Sequence, residues 1–178
     1  GASRDAMLRH SVGITDKKYG MVVRSVDSII NDLKVIKKYT NRIFISYESD
    51  MRLMKELLKR ISKDKDLKNY FYITYGAWKV LDNEMIYLLR DAFRFDSDKS
   101  IIEISPEVFD EKDRKLIKSG GVYYSNNQYF EALDNIKKIL GSKVKVVLFY
   151  SRYHKTHNSF DKLIDENKNL IEFRDKLK

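Results

Sequence analysis

Four stretches, 42–47, 70–75, 100–105 and 143–150, are short apolar runs rich in β-branched and aromatic residues, and they read as buried strands. Between them the apolar positions change period. Val26, Ile29, Ile30, Leu33 and Ile36 recur at three- and four-residue spacing behind Ser25, a good N-cap. Asp50 opens a second helical pattern with Met51, Met54, Leu57, Leu58 and Ile61, and Asp82 a third with Met85, Leu88, Leu89 and Ala92. Asp110 starts a short one carrying Leu116 and Ile117. Asn126 or Asn127 caps the next, with Phe130, Leu133, Ile136 and Leu140 inward and Gly141 as its stop. Ser159 opens a last helix with Phe160, Leu163, Ile164, Leu170, Ile171 and Leu177. The short run 121–124 is either a brief pairing or a loop.

Alternation of strand and helix predicts an α/β fold with a parallel sheet. The first two strand-to-strand steps are roughly thirty residues, the length of a βα unit. No Pro/Gly-rich or low-complexity tract divides the chain, so residues 1–178 are expected to form one domain. Gly1-Ala2-Ser3 fits either a tag remnant or a cut inside a longer protein.

Composition narrows the function classes. The chain of 178 residues carries a formal charge of +9 and no cysteine. Disulfides and thiolate-held zinc or iron–sulfur centres therefore have no ligands in it. No apolar run approaches the roughly 20 residues of a membrane helix, and no secretory leader is visible. The expectation is a soluble, cytoplasmic protein. The positive charge admits nucleic acid as a partner, but the lysines are spread over nearly every helix. Those at helix ends (Lys34, Lys37, Lys38, Lys59, Arg60, Lys63) also suit C-terminal helix dipoles.

Ligands of parallel α/β folds bind at the carboxyl ends of the strands. Those ends read Ser46-Tyr47-Glu48-Ser49, then Thr74-Tyr75-Gly76, then Ser105-Pro106-Glu107, then Ser151-Arg152-Tyr153-His154. Glu48 and Glu107 are placed to share a pocket. His154 and His157 have a helical i, i+3 spacing without a third metal ligand, so no metal is expected there. Asp96 and Asp98 suit a turn. Trp78 and the tyrosines are read as packing at the core and rim. Phosphate-loop, dinucleotide-fingerprint and nucleophile-elbow motifs are not found.

The order of segments resembles the radical S-adenosylmethionine (SAM) superfamily, cobalamin-associated type. Residues 23–33, with Arg24-Ser25, resemble its first helix. Residues 101–111 resemble its fourth strand and following turn, and Tyr124-Ser125-Asn126 its step into the next helix. The resemblance spans residues 1–156 and implies a partial (β/α)6-type, TIM-like barrel. It places Ser105 and Glu107 near a SAM ribose, Glu48 at the acidic position of the turn that binds the SAM amino group, and Ser151 at the turn after the fifth strand. The family's three cluster cysteines fall on Ala2, Ala6 and Arg9, none of them a ligand. The first strand would precede Gly1 and a sixth unit would follow Lys178, so a protein partner is expected to complete the barrel.

Three readings follow. The first is a degenerate radical-SAM-like domain that binds SAM or another adenosyl compound, or regulates a partner, without its own iron–sulfur cluster. The second is a radical SAM enzyme fragment or cluster-ligand variant. The third is a basic nucleic-acid-binding α/β domain. No reaction or substrate follows from the residues.

Overall fold

A computed structural model of the chain describes residues 24–45, 50–118, 122–150 and 156–176. Helix α1 (Val26–Ile36) starts at Ser25, whose side chain accepts from the Ser28 N–H. After it come β1 (Arg42–Ile45), α2 (Met51–Lys63), β2 (Tyr72–Ala77), α3 (Asn83–Ala92), β3 (Ile101–Glu107), α4 (Glu111–Ile117), α5 (Asn126–Leu140), β4 (Lys145–Tyr150) and α6 (Phe160–Lys176). Asp50, Asp82 and Asp110 each accept from the N–H three residues on, as the sequence predicts. Each such cap contributes about 1 kcal/mol. Ser159 does the same for Lys162 at the start of α6. At α5 the cap is Ser125, one residue earlier than expected, in a reciprocal capping box with Gln128.

The four strands pair in parallel in chain order, β1-β2-β3-β4. The register sets Ile45, Tyr75, Ile102 and Val146 side by side, with Ala77, Ile104 and Leu148 one pleat along. All of these belong to the apolar core or pack against it. Helices α1, α2, α3 and α5 contact one another in chain order. Together they form a layer over that face, with Leu58, Ile61, Ile86 and Leu89 fully buried beneath it. The opposite face aligns Phe44 with Thr74 and Ile101, and Gly76 with Glu103 and Val147. There Phe44 is 57% exposed and Phe149 46%.

Several boundaries move for local reasons. Strand β2 starts at Tyr72, two residues late, because Asn69 sits at φ 55 and Tyr70 N–H closes a turn on the Leu67 carbonyl. It runs on through Gly76 and Ala77, which pair with Glu103 and Ile104. Strand β4 starts late because Gly141, at φ 63, stops α5 and leads into a 3-10 turn, Gly141–Lys143. Residues 122–125 form a loop.

Helix faces differ too. Ile36 is exposed, Ile86 is inward, and Tyr129 and Ala132 take core positions assigned to the half-buried Phe130 and Leu133. On α6, Phe160, Ile164 and Ile171 are exposed, whereas Phe173 is buried against Phe109, Tyr129 and Phe130. On α4, Leu116 is 72% exposed while Arg114 is wholly buried. Among the described residues no helix is long and apolar enough to cross a membrane.

Candidate functional site

The end of β3 departs from regular strand. Pro106 supplies no N–H, the pairing with β4 shifts register between Ile104 and Glu107, and Val108 N–H bonds the Pro106 carbonyl at 2.9 Å. Glu107 is left at φ 69. That left-handed conformation costs a non-glycine residue roughly 1 kcal/mol or more and is typical of functional sites. Its result is a short contact: Ser105 Oγ donates to Glu107 Oε1 at 2.5 Å. Ser105 is buried and Glu107 half-buried, so the pair sits at the mouth of the sheet, with Glu107 paired to Tyr150 on β4.

Arg114 holds the turn in place. Its Nε and Nη2 donate to the Val108 carbonyl, Nη2 also to Phe109 O, and Nη1 to Tyr124 O, at 2.9–3.3 Å. The guanidinium stands over the rings of Tyr124 and Tyr129, 5.3 and 5.9 Å from their centroids. Carbonyl dipoles and ring faces thus stabilise a buried cation. From α6, the Glu166 carboxylate accepts from the Phe109 and Asp110 N–H groups, and Glu111 accepts from Asn126 N–H at the head of α5.

Lys118, one turn after Arg114, is also fully buried. Its ammonium donates to the Trp78 carbonyl at 2.9 Å and lies 3.5 Å from the Trp78 ring centroid and 5.5 Å from that of Tyr124. Burial pushes its pKa down to about 8; the Glu107 carboxylate opposes the shift and Arg114 adds to it. Among the described residues the buried Tyr124 Oη has no hydrogen-bond partner, and burial raises that phenol's pKa. Tyr129 and Tyr150 hydroxyls meet at 3.4 Å, and burial pushes Tyr150 up to about 12. A cavity of about 410 Å³ adjoins this cluster, walled by Lys79, Asp82, Tyr124, Gln128 and Glu131.

Of the residues expected at the site, Ser105 and Glu107 are brought together. Glu48, Ser151, His154, Ala2, Ala6 and Arg9 lie outside the described residues, so the pairing of Glu48 with Glu107 does too. Asp96 serves a turn, accepting from Asp98 N–H and, through its carbonyl, from Ser100 N–H. Among the described residues no three His, Asp or Glu side chains gather as a metal site. Arg114 and Lys118 were not singled out in the sequence. One signal pointed to them: α4 lies between two strands yet has no apolar stripe, and Arg114 and Lys118, four apart, occupy its inward line.

Chemically, the rim presents a hydroxyl–carboxylate pair and the half-buried Trp78 ring, with the Lys118 amine of lowered basicity and the Tyr124 ring buried. That set suits a ligand with hydroxyl donors and a flat ring. Compared with protein-family models, with curated proteins and with solved structures, the chain matches none.

Proposed function

We propose that this chain is a radical-SAM-like α/β domain that binds an adenosyl compound such as SAM at the carboxyl end of its sheet, as a binding or regulatory unit without an iron–sulfur cluster of its own. The observation that carries the reading is the Ser105–Glu107 pair at a strand end held in a left-handed turn. A carboxylate so placed accepts hydrogen bonds from a vicinal diol, and the serine hydroxyl fixes its orientation. Trp78, half-buried beside Lys118, offers an aromatic wall for a base.

Chain-order parallel pairing with a single helix layer is the arrangement a partial barrel requires. The absence of cysteine from the sequence is the ground for a role without a cluster. Exposed Phe44 and Phe149 on the opposite sheet face suit a protein partner that completes the barrel.

Calorimetric titration of SAM tests the reading. Saturable binding, weakened at least tenfold by Glu107→Gln or Ser105→Ala in folded protein, is expected. Heat of dilution alone up to millimolar SAM overturns it.

A further inference from the structure

The opposite end of the helix layer carries a second, differently charged crevice. It has a volume of about 660 Å³ and lies between the C-terminal ends of α3 and α5, with Asn69, Arg90, Arg94, Phe95, Lys138 and Lys143 among its walls. Four of its wall residues are cations and none is an acid. Helix ends explain part of this, since each C-terminus carries roughly half a negative charge. The two helix ends offset about one cation. Asp91 offsets another by pairing with Arg90 at 2.8 Å. About two positive charges are then left over; among the described residues the side chains of Arg94, Lys138 and Lys143 make no hydrogen bond or ion pair. Arg94 leans on the Tyr72 ring, 5.0 Å from its centroid. Gly141, at φ 63, ends α5 so that Lys143 returns to the crevice wall two residues later. The cavity at the rim has no such excess, because Asp82 and Glu131 accompany its Lys79.

We propose that this crevice binds a run of phosphate groups, with Lys138 and Lys143 as its principal contacts. Phe93 at its floor is 1% exposed and Phe95 half-buried. Phe93 offers no free ring and Phe95 packs against the core, so recognition is of the phosphate chain and independent of base sequence. The chain is supplied by single-stranded nucleic acid or by free polyphosphate. This site is independent of the Ser105–Glu107 rim and stands or falls separately.

The test is fluorescence anisotropy of a labelled dodecathymidylate between 50 and 200 mM salt. Compared are the unaltered protein, Lys138→Gln/Lys143→Gln, and a control of equal charge loss on α4, Lys112→Gln/Lys115→Gln. The crevice variant is expected to lower the slope of log affinity against log salt by about 1.4, at about 0.7 per lost phosphate contact. Between the two salt concentrations this is about a sevenfold difference in affinity. The control is expected to keep the slope. Tripolyphosphate that displaces the oligonucleotide identifies the phosphate run itself as the ligand; displacement only by oligonucleotide identifies nucleic acid. No binding at 50 mM salt, or equal slope loss in crevice and control variants, overturns the proposal.

Discussion

Ser105 Oγ and Glu107 Oε1 meet at 2.5 Å across a strand end where Glu107 adopts φ 69. Residues two apart on one strand ordinarily point to the same face without touching this closely. Here the register shift beside Pro106 and the left-handed turn bring hydroxyl and carboxylate together. Backbone strain is thus spent on aiming a side chain, which is the pattern of a site and not of a core.

Glu107→Gly separates the two roles. Glycine takes φ 69 without strain but loses more chain entropy on folding, so the variant is expected to gain at most about 1 kcal/mol while losing the carboxylate. Urea denaturation checks it. A loss of stability would mean that the Ser105 contact and the added chain entropy outweigh the strain.

Arg114→Lys is expected to cost about 3 kcal/mol or more in the same assay. A lysine ammonium cannot reach the three carbonyls that the planar fork spans, and it remains a buried charge. A cost below about 1 kcal/mol would show that the guanidinium is not the clip holding the turn.

Lys118 makes a pH-dependent prediction. Its folded pKa, about 8, lies below the value near 10.4 of an unfolded lysine. Between those values the unfolded chain binds more protons, so the contribution of Lys118 to stability rises with pH. Below pH 8 both states are protonated and the burial penalty is constant. The stability of the protein minus that of Lys118→Met is therefore expected to grow from pH 7.5 to 10.5, by up to about 3 kcal/mol. A flat or falling difference contradicts the lowered pKa.

Phe173→Ala is expected to destabilise by about 3 kcal/mol. Its ring lies 5.5, 5.6 and 5.1 Å from those of Phe109, Tyr129 and Phe130. Hydrogen exchange should then show α6 opening together with the Phe109–Asp110 amides that Glu166 holds. Protection of those amides unchanged from the parent protein would sever α6 from the site.

How much of this was legible depends on the range of the interaction. Caps are local, so Ser25, Asp50, Asp82, Asp110 and Ser159 were readable from a side chain and the N–H three residues ahead. The start of β2 was not, because the turn at Asn69 competes with the high strand propensity of Tyr70 and Phe71. Ser105 and Glu107 were found by the rule that parallel strands present ligands at their carboxyl ends. Arg114 and Lys118 were not, because a basic residue on a short helix reads as solvated surface unless its partners, here carbonyls and rings distant in sequence, are known. On α6 the apolar period places Ile164 and Ile171 inward, yet the helix is anchored largely through Phe173 and Glu166, leaving the period underused.

The central claim, a ligand site at the carboxyl end of the sheet, is tested most directly by amide chemical-shift mapping of the labelled protein titrated with S-adenosylhomocysteine. Saturable shifts confined to Ser105, Glu107, Lys118, Tyr124 and Tyr150 are predicted. Shifts that cluster instead around Arg94, Lys138 and Lys143, or none at millimolar ligand, would contradict it.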